Sequence, residues 1–329
     1  MIVMKKMKFL CSLALVAFAI APALAQNEKD KKTKYEFVKT KSVNKTYTVS
    51  GTDKLSIANS FGTVEVHTWN KNEIKVDVSI EVSSNKEAFA QKLIDGITVS
   101  NSQGGDGVSF KTSINGSNNS KNEKSSMSVD YSVYMPESNP LKLSNEFGAT
   151  VIPDMKGTVE LTSKFGSLNA GTLADVKRIN VEFGSTSIAS INNGDVHVSY
   201  SKASLGKVSG NVKLNFDFCG GVKVNLENNL TSLELNTSYS TINLRPSANL
   251  SAAYVVNTSF GSFKNRSGIK FDSDKDDEDG PKFDFRYEGK SGNGSVPVKI
   301  KDSFGKIILG DANQEDMDDE KPKHKRKTT

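Results

Sequence analysis

The feature that most constrains this chain is an aromatic residue followed by Gly or Ser that keeps returning at a near-fixed interval. The instances are Phe61-Gly62, Phe147-Gly148, Phe165-Gly166, Phe183-Gly184, Tyr200-Ser201, Tyr239-Ser240, Phe260-Gly261 and Phe304-Gly305, with a degenerate copy at Phe218. From Phe147 to Phe260 the successive aromatics stand 18, 18, 17, 18, 21 and 21 residues apart. A fixed period near twenty residues marks structural units that stack on one another.

Aligning the copies on the aromatic exposes the pattern within each unit. Four residues before it stand Ile57, Leu143, Leu161, Ile179, Val196, Leu214, Leu235, Val256 and Ile300, all aliphatic. Six before it are Leu55, Leu141, Val159, Val212, Leu233 and Val298. After it, apolar residues fall three and five positions on, as in Val64 and Val66 or Ile307 and Leu309. A period of two is a strand with one buried face. The parity changes across the aromatic-Gly pair, which indicates a bend that Gly permits. Each unit therefore reads strand, bend, strand, turn, and has too little apolar surface to fold alone. The expected fold is all-β: a β-solenoid of stacked units of about 18–21 residues, with an irregular β-sandwich as the alternative. Because the aromatics share parity with the Leu and Ile positions before them, they are expected in the core.

Composition agrees with a thin, repeated core. Hydrophobic residues make up only 36% of 329 residues, which is low for one thick globular interior. At the N-terminus, Lys5, Lys6 and Lys8 precede an apolar stretch from Phe9 to Ala21 and the small-residue site Ala23-Leu24-Ala25. This reads as a signal peptide over residues 1–25, cleaved to leave Gln26 first. The apolar run is short of the ~20 residues a membrane-spanning helix needs, and no other segment is a candidate. Removal of the three signal lysines lowers the net charge from +5 to +2, which gives no reason to expect a nucleic-acid partner. Cys219 would be the one cysteine left, so no intrachain disulfide can form. It lies in a strand pattern and is expected to be buried.

The remaining segments divide as follows. Residues 26–43 read as a polar leader and 44–137 as an N-terminal β section that caps the repeat. Within that section a capping-box pattern at Ser84 and Glu87 starts a short helix near 85–95, with Gly96 as its C-cap. Residues 138–310 are the repeat, carrying an insertion at 264–290, and 311–329 form a charged tail expected to be disordered.

Little in the chain points to chemistry. The three histidines, His67, His197 and His324, are scattered, and no nucleophile-elbow motif accompanies the many serines. An acidic run, Asp272 to Asp279, invites a calcium reading, but Asp277 stands where an EF-hand loop needs Gly and Phe283 where it needs Glu. Outward positions just before the aromatics place Glu146, Lys164 and Glu182 in an alternating charge column, which suits surface pairing and assembles no catalytic set. Catalytic residues, metal ligands and cofactors are therefore all expected to be absent. Trp69, the sole tryptophan, is the aromatic expected at the surface.

The opening run Leu55-Ser56-Ile57-Ala58-Asn59-Ser60-Phe61-Gly62-Thr63-Val64-Glu65-Val66, the helix near 85–95, the signal peptide and the repeated aromatic-Gly units together resemble the putative adhesin family of bacterial secreted β-strand-repeat proteins, a domain of unknown function common in the Bacteroidetes. The resemblance spans about 45–310. It implies a β-helical fold and no enzyme activity. The function expected on these grounds is a non-enzymatic cell-envelope or surface module engaged in adhesion or ligand presentation to a protein or glycan partner. A periplasmic sensing or regulatory partner of a membrane complex is the first alternative, and a glycan-acting β-helix enzyme the second.

Overall fold

The computed structural model describes residues 35–115, 123–273 and 283–317. The signal peptide read at 1–25, most of the acidic run and the tail beyond Met317 lie outside them. The N-terminal section contains β1 (Phe37–Thr48), β2 (Lys54–Ser60), β3 (Val64–Trp69), β4 (Glu73–Ser84), α1 (Glu87–Gly96), β5 (Ile97–Gly104), β6 (Gly107–Ile114) and β7 (Ser125–Pro136). The repeat follows as β8 (Leu141–Glu146), β9 (Ala149–Ile152), β10 (Met155–Lys164), β11 (Ser167–Glu182), β12 (Ser185–Ser199), β13 (Lys202–Asp217), β14 (Val222–Ser238) and β15 (Thr241–Pro246). The C-terminal part holds β16 (Ala252–Ser259), β17 (Ser262–Arg266), β18 (Phe271–Ser273), β19 (Asp284–Lys290), β20 (Val296–Ser303), β21 (Lys306–Gly310) and α2 (Gln314–Met317). Among the described residues the protein is all-β with two short helices.

The units pair in parallel and in equivalent register. Leu143 faces Leu161, Leu161 faces Ile179, Ile179 faces Val196, Val196 faces Leu214, and Leu214 faces Leu235. All nine aliphatic residues four before the aromatic are buried, as are the six aliphatic residues two positions earlier. The next inward position, two before the aromatic, is occupied by Asn59, Asn145, Ser163, Val181, Val198, Phe216, Thr237, Thr258 and Asp302, again all buried. The apolar side chains among them belong to one hydrophobic cluster, with the polar ones buried beside it. Asn59 and Asn145 satisfy their amides there: Asn59 Nδ2 donates to Asn145 Oδ1 at 3.1 Å and to the Val129 carbonyl at 2.9 Å.

Spatial order departs from chain order at both ends. β2 lies between β6 and β8, so the segment from β4 to β7 folds outside the first unit. β4 pairs antiparallel with both β7 and β1, and β5 antiparallel with β6. At the other end β20 pairs in parallel with β14 on one side and β16 on the other, while β21 is flanked by β15 and β17. The last unit in sequence is thus inserted before the preceding one in space. β19 then closes β16 by antiparallel pairing.

Several boundaries differ from those read in the sequence. β1 starts at Phe37, inside the stretch taken as leader, because it adds to β4 along its whole length. Within 264–290, the described residues 264–273 and 283–290 hold the end of β17 and the strands β18 and β19, which pair into the sheet. Residues 314–317 form α2. Its Asp316 is buried and paired with Lys264 and with Arg266 at 3.2 Å, and those cations hold its carboxyl below the usual range. Helix α1 is present, but Ser84 Oγ accepts from the Lys86 N–H at 3.2 Å instead of closing a capping box, and Glu87 pairs with Lys39 at 2.7 Å. Gly96 leads straight into extended backbone at Ile97.

Where Gly follows the aromatic within the repeat, the units approach closely enough to leave no room for a side chain. A Cβ on Gly166 would lie 1.9 Å from the Gly148 carbonyl oxygen, and one on Gly184 1.9 Å from that of Gly166. Gly166→Ala should therefore lower the unfolding free energy by about 1–3 kcal/mol through overpacking. Gly51→Ala, where a Cβ meets nothing within 4 Å, should change it by less than about 0.5 kcal/mol. Urea denaturation of the two variants against wild type checks this order.

Candidate binding surface along an exposed aromatic ladder

The aromatics of the repeat are not in the core. Phe61, Phe147, Phe165, Phe183, Tyr200, Phe218, Tyr239, Phe260 and Phe304 are all exposed, from 38% at Phe61 to 55% at Phe260. The cause is a backbone conformation that the side-chain period cannot reveal. Each of the nine has a positive φ, between 47° and 63°, in the left-handed region that non-Gly residues seldom occupy. The reversal of parity therefore happens at the aromatic itself: its side chain is thrown outward, and the following Gly, Ser or Cys turns in.

That following position explains where Gly can be replaced. Ser201, Cys219 and Ser240 are buried and stand in three consecutive units. Ser201 Oγ donates to the Ser199 carbonyl at 2.7 Å and accepts the Gly184 N–H at 2.9 Å. Ser240 Oγ likewise donates to the Ser238 carbonyl at 2.7 Å and accepts the Cys219 N–H at 2.9 Å. Cys219 Sγ lies 3.2 Å from the Val198 carbonyl, and burial pushes its thiol pKa up. It is buried as its strand pattern implies, and a raised pKa leaves it little thiolate at neutral pH.

Outside the bend, the nine rings and Phe283 form one continuous stack. Its order is Phe61, Phe147, Phe165, Phe183, Tyr200, Phe218, Tyr239, Phe304, Phe260, Phe283. Neighbouring centroids are 4.8 to 5.1 Å apart and ring planes 3° to 19° from parallel. This spacing is the inter-strand spacing of a sheet. It is maintained by backbone hydrogen bonds at each aromatic, such as Phe165 N–H to the Glu182 carbonyl at 3.0 Å and Tyr239 N–H to the Ser303 carbonyl at 2.9 Å. Ten rings at that rise give an apolar ridge roughly 45 Å long. The rings cover one another's faces, so the ridge offers ring edges to solvent along its length. The order Tyr239, Phe304, Phe260 follows the inserted unit and could not be read from spacing. Phe283 has no following Gly and carried no repeat signal.

Beside the ridge, Lys164 pairs with Glu182 at 3.2 Å, and Glu146 lies in register on its other side. A depression of ≈ 600 Å³ is lined by Phe218, Tyr239, Phe304, Thr241, Ser262 and Lys306, among others. Trp69 is partly buried, its Nε1–H donating to the Glu73 carbonyl at 2.8 Å and its ring 5.4 Å from Tyr134, with Lys71 over it at 4.7 Å. His67 lies 3.5 Å from Glu65 and His197 3.4 Å from Asp217, both partly exposed and far apart in sequence and unit. Among the described residues, no group of three or more His, Cys, Asp or Glu is placed to hold a metal ion, and no helix is long and apolar enough to cross a membrane. Of the acidic run, Asp272 and Ser273 fall in β18 and residues 274–279 lie outside the described residues.

Two solved structures align with most of this chain at low identity and low TM-score. One is a "putative cell adhesion protein" from Clostridium sporogenes, 15% identical, with 83% of this chain and 99% of that chain covered at a TM-score of 0.26. The other is a "putative adhesin" from Bacteroides fragilis, 12% identical, with 82% and 97% covered at a TM-score of 0.32. No family model matches the chain, and no curated protein is significantly similar to it in sequence.

A stacked, half-exposed ring contributes less than a buried one. Phe183→Ala should cost about 1–2 kcal/mol, the scale of lost aromatic pairing, against about 2–5 kcal/mol for the buried Leu161→Ala. Phe183→Gly should be no worse than Phe183→Ala, because Gly relieves the left-handed backbone by about 1–2 kcal/mol. Denaturant melts of the three variants give the ranking directly.

Proposed function

We propose that this chain is a β-solenoid that works without enzymatic chemistry, as an exported cell-envelope or surface module that presents a long, rigid face to a protein or glycan partner in adhesion. The observation that carries this reading is the aromatic ridge. Monomeric proteins rarely leave a contiguous apolar strip of this length in water, and such strips mark contact sites. The nine left-handed residues each cost about 1–2 kcal/mol, and ring stacking offsets only part of it at about 0.5–1.5 kcal/mol per pair. Gly or Asn would take the left-handed backbone at lower cost, so large outward rings at all nine corners favour a role at the surface.

The absence of enzyme activity is part of the proposal. The buried thiol of Cys219 and the separated, carboxylate-paired histidines support it, since catalysis needs a nucleophile or acid with a tuned neighbour. Export rests on the N-terminal lysines, apolar run and Ala-Leu-Ala site, and on the signal peptide they compose.

The test uses the chain from Gln26 on arrays of glycans and matrix proteins, beside a variant carrying Phe165→Asn, Phe183→Asn and Tyr200→Asn. Asn tolerates the left-handed backbone, so the fold should survive as a cooperative melt. Binding to the spots that wild type selects should fall at least about tenfold, the scale of losing a few interface anchors. Equal binding by both proteins would overturn the ridge as the contact. In intact cells, an added protease should remove the protein; sparing it would favour the periplasmic reading.

A further inference from the structure

The column of buried residues two before each aromatic contains one ionisable side chain, Asp302. It is 2% exposed. Its strand β20 places it between Thr237 of β14 and Thr258 of β16. Neither carboxylate oxygen has a hydrogen-bond partner, and the hydroxyls of Thr237 and Thr258 are likewise unpartnered. The carboxylate lies against two bends: a Cβ on Gly261 would be 2.2 Å from Oδ2, and one on Gly305 2.3 Å from Oδ1. It fills the inward space that Ser201, Cys219 and Ser240 fill in the preceding units.

Every group facing it is uncharged. β14 contributes Thr237, β16 contributes Thr258, and the bends contribute Gly261 and Gly305. Lys299 and Lys301 of its own strand and Glu234 of β14 are exposed on the opposite face, and Lys306 reaches the Asp316 carbonyl at 3.4 Å. The buried Cys219 thiol is two units away, beyond Ser240. Burial pushes the Asp302 carboxyl up to about 7, with the Gly305 N–H, facing it without completing a hydrogen bond, as the one opposing influence. An ion without a partner in such a site is strongly disfavoured, whereas the neutral acid matches the Asn, Ser and Thr found elsewhere in the column.

The unit that carries Asp302 is also the one inserted out of chain order. It enters after the β19–β20 turn and is tied down beyond β21 by Asp316, through Lys264 and Arg266 of β17. It can therefore withdraw without unthreading the units from β8 to β13. We propose that β20–β21 is a proton-gated closure of the stack, held between β14 and β16 while Asp302 carries its proton and loosened when Asp302 ionises, which uncovers the edges of β14 and β16.

The direction in pH follows from the shift. The open form binds its proton with an ordinary carboxyl pKa near 4, the closed form with one near 7. Between those values the closed form holds more protons, so raising the pH favours opening by about tenfold per unit, and the effect levels off above about 7. Amide hydrogen exchange, corrected for the intrinsic pH dependence, reads this directly on the whole exported chain. Protection of amides in β14, β16 and β20 should fall about tenfold per pH unit from ~5 to ~7, while amides in β10 to β12 keep theirs. Asp302→Asn and Asp302→Thr, the latter copying the neighbouring positions, should abolish the pH dependence and match the acid form of wild type. An unchanged slope in both variants, or the same slope in β10 to β12, would overturn the gate. Protection that rises with sodium or calcium concentration at pH 7.5, and is lost in Asp302→Asn, would also overturn it, assigning the carboxylate to a cation instead.

Discussion

Everything in this protein depends on the bend, where one residue per unit takes a left-handed backbone and the next approaches the unit beside it within contact distance. The left-handed residue reverses the inside and outside of the strand in a single step. That lets a short unit turn a corner while keeping its backbone hydrogen bonds to the neighbouring unit, as at Phe165 and Glu182. The close approach fixes the identity of the following residue: Gly, or a Ser or Cys small enough to turn inward and satisfy the adjacent amide or carbonyl. Stacking then places nine identical corners at the strand spacing, and the rings they project have no choice but to stack.

A stack of parallel strands has two open ends, each a template for unwanted pairing. This chain closes both by departing from sequential order. At the N-terminal end, β4 and β1 add antiparallel beyond β7, and Lys39, Lys41 and Lys45 put charge on the outermost strand. At the other end, the final unit is tucked inside and β19 covers β16. The inserted unit is where the polar column goes least satisfied, with Thr237, Asp302 and Thr258 side by side. As the last unit in the chain it can leave its place without unthreading the units from β8 to β13, although it is paired with both β14 and β16.

The ridge and the closure divide the surface into two kinds of feature. The ridge is rigid from Phe61 to Tyr239, where each ring is fixed by its neighbours and by the backbone beneath it, while Phe304 belongs to the closure; a rigid apolar strip suits recognition with little ordering cost. The closure is conditional, because its stability turns on a single proton. Both arise from deviations from the minimal repeat: an aromatic where a smaller residue would turn the corner, and an acid where the column is otherwise neutral.

The sequence by itself determined the all-β class, the units, the inward register and the burial of Cys219. Ile57, Leu143, Leu161 and their equivalents lie two apart from their neighbours, and a strand with one wet face allows only one reading of that spacing. The short helix after Ser84 was legible for the same reason, from its helical spacing. Tertiary structure alone decided which way the aromatics point. Parity carried through the bend places Phe183 inside, but a positive φ inverts it, and φ leaves no trace in a hydrophobic pattern. Tertiary structure also decided the spatial order of the last units. Units that share one register are interchangeable as far as local pattern goes, so Phe304 can sit between Tyr239 and Phe260 although it follows both in the chain. The isolation of Asp302 came with that choice: its neighbours Thr237 and Thr258 are 65 and 44 residues away in sequence, and only the insertion of β20 brings all three together.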